Sequence, residues 1–358
     1  MIERKKTKRI VLGNVPVGGG EPISVQTMTN TKTSDIKATL EQIGRIECAR
    51  CDILRVAVPD EESAHALRKI VKETKMPVVA DIHFDWRLAL LAMENGADGI
   101  RVNPGTIASR KGLKEIAKEA SQRGVVVRVG VNSGSLEKEF RVKRDGEAGA
   151  LVQSALKGVT FFEDAGVNAI KVSVKATSVP VTIQAYRMIS KECEWPLHIG
   201  VTEAGTIFSG SIRSAVGIGA LLAEGIGDTI RVSLSADPVE EVRVGLLILK
   251  TLGLAPPSPW VVSCPTCARC EIDVIGIASE LERRLEGIEG SLRVAVMGCS
   301  VNGPGEAREA DLGIAGGRVS ALIFKGGKII AKVPKEHSLE ALVTEVEKIL
   351  KGESGERG

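Results

Sequence analysis

The chain has 358 residues, 43% of them apolar and 26% charged, with 48 basic against 45 acidic side chains. That balance excludes disorder over most of the length and supplies no bulk positive field for nucleic acid, and an aromatic content of 3% argues against base-stacking platforms. No apolar run is long enough for a membrane span, and the apolar stretch after the basic residues 1–9 is too short for a secretory leader, so the expectation is a cytoplasmic protein of about two domains.

Runs rich in β-branched residues recur in chain order at 22–26, 52–56, 77–82, 99–103, 125–129, 169–174, 197–201 and 229–234. Stretches such as 64–73, 86–95 and 239–252 carry apolar residues at helical spacing between them. Eight such βα units in about 250 residues predict an α/β fold of the (β/α)8 TIM-barrel type. An open doubly wound sheet is the alternative, but it would usually place a Gly-rich fingerprint after its first strand, whereas Gly18, Gly19 and Gly20 precede it.

Barrel chemistry is carried at the C-terminal ends of the strands. In order, those ends offer Arg55, then Asp81 and His83, Arg101 and Asn103, Arg128 and Asn132, Lys175, Thr202 and Glu203, and finally Arg231 and Ser233. A single arginine at such a place is often the partner of a buried carboxylate. Five cations from five strands against few acids point instead to a small polyanion, and guanidinium forks match phosphate oxygens bidentately. Glu203, set among small residues, is a candidate general acid or base, and His83 beside Asp81 gains from its place at a strand end. Each has a plainer reading as a salt-bridge partner or a core histidine.

After the barrel, Gly253 to Pro259 (GLAPPSP) reads as a linker. The expected organisation is a substrate-binding barrel at 1–252, a linker at 253–263, a smaller α/β domain at 264–350 and a tail at 351–358. Within the second domain we expect a helix near 271–286, a strand at 292–297, a hairpin of 319–324 with 328–333 across Gly326 and Gly327, and a closing helix N-capped by Ser338.

Four of the seven cysteines lie in this last third, two residues apart at Cys264, Cys267 and Cys270, then Cys299 on a Gly-rich loop. Spacing alone leaves three readings open: structural zinc on four thiolates, a [4Fe–4S] cluster on the same four, or a cluster on Cys264, Cys267 and Cys299 with Glu306 as the fourth ligand. Cys48, Cys51 and Cys193 read as buried small residues.

Six segments together resemble the 4-hydroxy-3-methylbut-2-enyl diphosphate synthase (IspG/GcpE) family: PISVQTMTN at 22–30, KVSVKA at 171–176, VTEAG at 201–205, GIGDTIRVS at 225–233, SCPTC at 263–267 and MGCSVNGPGEA at 297–307. The resemblance covers nearly the whole chain. It implies a barrel followed by an iron–sulfur domain, and a reaction in which 2-C-methyl-D-erythritol 2,4-cyclodiphosphate is reductively dehydroxylated and ring-opened. The two electrons would pass through a [4Fe–4S] cluster from a donor such as ferredoxin or flavodoxin. It further implies Cys264, Cys267, Cys299 and Glu306 as cluster ligands, with Cys270 outside the family pattern. Glu203, Asp81 and His83 become the implied catalytic groups. Arg55, Arg101, Arg128, Asn132, Lys175, Arg231, Ser233 and Asn302 become the implied substrate contacts.

The linker adds a geometric expectation. The last barrel helix ends at the face opposite the strand C-termini, and about eleven extended residues reach at most ~35–40 Å. A head-to-tail homodimer, in which each second domain serves the other chain's barrel, closes more easily than a single chain folding back. Two alternatives remain from other classes: a zinc-stabilised barrel that binds a phosphorylated metabolite without redox chemistry, and a cluster-containing regulator.

Overall fold

The computed structural model describes residues 2–103, 105–107, 109–136, 140, 146–299, 309–350 and 352. It divides into two compact units, Met1–Ala255 and Pro256–Gly358.

The first unit opens with a small antiparallel hairpin that the strand pattern does not announce, β1 (Ile10–Leu12) with β2 (Val15–Val17). Leu12 is fully buried, and its side chain lies so close to Gly99 that a Cβ there would stand 2.7 Å from it. Gly99 begins a barrel strand, so the hairpin packs at the N-terminal end of the barrel.

Eight parallel strands follow: β3 (Ser24–Met28), β4 (Ile53–Ala57), β5 (Val78–Asp81), β6 (Gly99–Val102), β7 (Val126–Asn132), β8 (Ile170–Lys175), β9 (His198–Ile199) and β10 (Thr229–Ile230). Their order is β8-β7-β6-β5-β4-β3-β10-β9, and a parallel bridge between Val172 and Leu197 joins the two ends. Every strand is followed by a helix: α1 (Ile36–Cys48), α2 (Glu61–Glu73), α3 (Trp86–Glu94), α4 (Arg110–Arg123), α5 (Gly146–Asp164), α6 (Val179–Glu192), α7 (Ile207–Ala223) and α8 (Pro238–Thr251). This is the expected (β/α)8 barrel. Asp35, Asp60, Asp85, Ser109, Ser178 and Asp237 each accept a first-turn backbone N–H, so six of the helices begin where a side chain satisfies one of their orphan donors.

Alternation along the strands sorts the two faces. On β8, Ile170, Val172 and Val174 belong to the apolar core under the helices. Lys171, Ser173 and Lys175 occupy the other face, and Ser173 meets Arg101 of β6 over Gly130 of β7 inside the barrel. The interior is therefore polar over much of its depth.

The second unit is a five-stranded sheet in sequence order, β11 (Trp260–Ser263), β12 (Arg293–Met297), β13 (Leu312–Gly316), β14 (Ser320–Lys325) and β15 (Lys328–Pro334). The first three are parallel and the last two antiparallel. Helices α9 (Val274–Leu285) and α10 (Ser338–Leu350) supply Ile277, Leu281, Leu342 and Val346 to a core shared with Val294, Val296, Leu312 and Ile314. The predicted helix, first strand and hairpin are present.

Three details differ from expectation. Trp260–Ser263, read as linker, form β11 and pair with β12; proline-rich flanks mask a strand that is only partly buried. Leu312–Gly316 form a strand that glycine and alanine content hides. Ser338 is the first helical residue after a 3-10 turn at Lys335–His337, with αR backbone angles, so it does not stand ahead of the helix as its N-cap. No helix among the described residues is long and apolar enough to cross a membrane.

Candidate active site

The inward residues near the strand C-termini gather around one carboxylate. Asp81, at the end of β5, is 5% exposed. Its Oδ1 lies 3.5 Å from Arg101 Nη1, and its Oδ2 lies 4.0 Å from Arg55 Nε and 3.4 Å from His83 Nε2. Burial alone would raise this carboxyl. Arg55, the His83 hydrogen bond, Arg101 and Arg128 outweigh that and hold it well below the usual carboxylate range. Two guanidinium groups and His83 share one acid, so its single charge cannot neutralise both arginines.

Arg231 is held differently. Its Nε and Nη2 each donate to Glu241 of α8 at 3.1 Å, while Glu241 also accepts from Thr27 Oγ1 and the Leu234 N–H. The plainer reading of a strand-end arginine, a partner for a buried carboxylate, therefore describes Arg231.

Arg128 and Lys175 are buried among these cations. Burial and the surrounding arginines push the Arg128 guanidinium and the Lys175 ammonium well below their ordinary values. Burial lowers Arg55 to about 10, although Asp81 opposes the shift. Space for the Lys175 head comes from Gly200 after β9, where a Cβ would stand 2.7 Å from Lys175 Nζ and collide with the Arg231 carbonyl. Desolvated cations of one sign with too few acids are costly unless an anion joins them.

The remaining predicted residues are placed as follows. Asn132 ends β7 directly opposite Lys175 and is half-buried. Ser233 lies just past β10 and is also half-buried. His83 is exposed on the loop after β5. Glu203 is exposed on the loop after β9 and sits in the left-handed backbone region at φ 53°, a conformation that costs free energy for a residue with a Cβ and clusters at functional loops. Asn103 donates to Ser135 Oγ at 2.7 Å and accepts from the Gly105 N–H, so it holds a loop together. Asn302 and Glu306 lie outside the described residues.

Sequence reasoning passed over four interior polar residues. Gln26, Lys171, His198 and Glu241 are all buried. The signal for Lys171 was present, since it precedes Lys175 by four residues and so shares its face of the strand. Glu241 left no such trace, because it reaches the interior from a helix.

In the second unit, Cys264 follows β11 and Cys299 follows β12, at the C-terminal ends of adjacent parallel strands. The Gly298 N–H points to Cys264 Sγ at 3.1 Å, and the Cys267 N–H to Cys270 Sγ at 3.4 Å. A Cβ on Gly298 would stand 2.5 Å from Cys270 Sγ, so Cys270 packs against the glycine that precedes Cys299. Backbone N–H groups aimed at sulfur favour thiolates, and soft thiolates are the donors iron–sulfur clusters take. Among the described residues, no three His, Cys, Asp or Glu side chains gather closely enough to hold a metal ion; a cluster spreads its thiolates wider than a single ion does. Of the other cysteines, Cys51 and Cys193 are buried as expected, but Cys48 is exposed at the end of α1. The Cys51 thiol donates to the Ile53 carbonyl at 3.2 Å, and burial pushes it up to about 12.

The fold and interior define a (β/α)8 barrel whose interior holds several buried cations, followed by an α/β unit that carries four cysteines. The GcpE TIM-barrel domain model matches residues 7–246 and the GcpE protein C-terminal domain model matches residues 260–348. The chain belongs to the GcpE family. It is 56% identical over 348 residues to the 4-hydroxy-3-methylbut-2-en-1-yl diphosphate synthase (flavodoxin) of Geobacter sulfurreducens, covering 97% of this chain and 99% of that one. It is 55% identical to the protein of the same name from Caldanaerobacter subterraneus, covering 98% and 99%. Among solved structures, the dihydropteroate synthase of Yersinia pestis superposes with a TM-score of 0.51 at 12% identity, over 68% of this chain and 98% of that one, a likeness of fold alone.

Proposed function

We propose that this chain converts 2-C-methyl-D-erythritol 2,4-cyclodiphosphate to 4-hydroxy-3-methylbut-2-enyl diphosphate in non-mevalonate isoprenoid biosynthesis. The reaction is a two-electron reductive dehydroxylation with ring opening, and flavodoxin, which the names of the relatives carry, is the donor. The observation that carries this reading is the excess of buried cations around Asp81 in the barrel interior.

Arg55, Arg101, Arg128 and Lys175 bind the diphosphate, with Asn132, Ser233 and Asn302 completing its hydrogen bonds. Arg231 keeps its bidentate partner Glu241 and presents its remaining donors. Asp81 holds the guanidinium groups in place and retains His83 at the mouth. The diphosphate stays clamped while one of its C–O bonds breaks, so the ring opens without loss of the chain that carries it. The substrate's hydroxyl leaves from the neighbouring carbon as water, with Glu203, held in a strained turn, supplying its proton, and the two electrons complete the new C=C bond.

Cys264, Cys267, Cys299 and Glu306 would hold the [4Fe–4S] cluster, and Cys270 stays outside that set. When bound, the cluster supplies the two electrons one at a time. A carboxylate as fourth ligand is more easily displaced than a fourth thiolate would be. Cytoplasmic residence belongs to the same reading, because such thiolates need a reducing compartment. So does a head-to-tail homodimer in which the site is shared between chains.

The test is anaerobic incubation of the cyclic diphosphate with the cluster-loaded protein and reduced flavodoxin, read by mass spectrometry of the product. The linear diphosphate is expected. Glu203→Gln is expected to cut kcat by roughly 100-fold or more, the scale of a lost general acid, with substrate affinity little changed. Equal turnover in that variant would remove Glu203 from the mechanism, and unchanged cyclic diphosphate with loaded wild type would remove the reading itself.

A further inference from the structure

Beside the predicted contacts, the barrel interior holds further buried polar groups. Lys171 of β8 is 1% exposed and is the direct register partner of Arg128 on β7. It shares the inner face of β8 with Lys175 and sits nearer the N-terminal end. Its Nζ has no hydrogen-bond partner among the described residues, and the same holds for Arg128 Nε and Nη1, His198 Nε2 and both amide atoms of Gln26. His198 Nδ1 is occupied by Thr229 Oγ1 at 2.8 Å, and burial with the nearby cations keeps its ring neutral.

The buried carboxylates are already engaged. Asp81 serves Arg55, Arg101 and His83. Glu241 serves Arg231, Thr27 and the Leu234 N–H. Asp228, at the other end of the barrel, serves Arg4, Thr7 and the Leu197 N–H. Buried donors without acceptors are rare in folded proteins and costly where they occur. Here several such groups lie in the same barrel interior as the cations assigned to the diphosphate, with Lys171 in register with Arg128. A merely structural lysine would have been given a carboxylate or a carbonyl.

We infer that Lys171 is a further anion-binding residue of this barrel, joining Arg128, its register partner, in the diphosphate site, with Gln26 and His198 as further neutral donors of the interior. The ligand class is the phosphate oxygens of a small diphosphate. This rests on the reading of the barrel as a diphosphate site and extends it by one residue. Burial, Arg128 and Arg55 hold the free Lys171 ammonium down to about 7 against a weaker pull from Asp228, and His198 faces it from β9. Below that value it binds an anion as it stands, and above it the anion brings a proton with it.

The probe is inorganic diphosphate titrated calorimetrically into the full-length protein at pH 8, in two buffers of different ionisation enthalpy. Lys171→Met is expected to weaken binding by roughly tenfold to a hundredfold, the loss of one charge-assisted hydrogen bond. It is expected to reduce proton uptake on binding by up to about one proton, while the unliganded thermal midpoint stays level or rises. Lys171→Gln should reproduce the weakening and stands in if the methionine variant does not fold. Wild-type affinity in either folded variant, or a fallen midpoint with unchanged diphosphate affinity, overturns the assignment of Lys171 alone. Wild-type protein that binds neither inorganic diphosphate nor the cyclic diphosphate overturns the reading of the barrel beneath it.

Discussion

Asp81 carries more of the site than any other residue, because three basic groups lean on one carboxylate that is nearly shut off from water. Its depressed pKa means that the folded state holds the proton more weakly than the unfolded state does. The resulting stabilisation is complete above the unfolded value near ~4 and is lost as the pH falls below it. Asp81→Asn keeps the shape and removes the charge. We expect it to cost about 3–5 kcal/mol at neutral pH, the scale of an uncompensated buried ion, and to cost progressively less below pH ~4. Chemical denaturation at pH 7 and pH 3 checks this, and an equal loss at both would show that the charge is not what matters. Residues of this kind were legible in the sequence because strand-end position and side-chain type coincide. Lys171 and His198 were less so, since nothing in composition marks how deep in a barrel a strand residue sits.

At the scale of elements, the eight strands and their order were readable from the spacing of β-branched runs. The seam where the barrel closes was not. Strands β8 and β9 meet through a single bridge, Val172 to Leu197, and Tyr186 of α6 reinforces it from outside. Its hydroxyl donates to the His198 carbonyl at 2.6 Å and accepts from the Val174 N–H at 3.2 Å. This is the chain's only tyrosine, and it is fully buried. Burial outweighs its hydrogen bonds and raises its pKa. Tyr186→Phe leaves both backbone groups unpaired in a dry seam, so we expect a loss of about 1–3 kcal/mol. Urea unfolding measures it, together with faster amide exchange at Val174, and unchanged exchange there would show that the seam does not depend on the hydroxyl. Short strands escaped for a related reason. Where pairing relies on a few backbone bonds and on small residues, as at Leu312–Gly316, there is little side-chain pattern to read.

For the whole molecule, sequence motifs and family membership agree on a TIM barrel followed by a smaller C-terminal unit that carries four of the seven cysteines. Residues 252–259 separate α8 from β11, a shorter tether than the 253–263 linker taken from composition, because Trp260–Ser263 join the sheet. The proposed head-to-tail homodimer would share each site between two chains. We expect a mixture of Cys264→Ala and Arg55→Met proteins, each inactive alone, to regain up to about one quarter of wild-type activity when co-refolded, since random pairing gives half heterodimers with one intact site each. Activity that stays at the level of the separate variants would place both halves of the site in one chain.

We propose that electrons reach the diphosphate bound in this barrel through an iron–sulfur cluster held by the second unit. The most direct measurement is iron and acid-labile sulfide content, with electron paramagnetic resonance after reduction, on protein purified without oxygen. About four irons and four sulfides per chain are expected, the composition of a [4Fe–4S] cluster, with a reducible paramagnetic signal that Cys264→Ala abolishes. Zinc without sulfide, persisting after anaerobic reconstitution, would contradict it and leave only the anion-binding barrel.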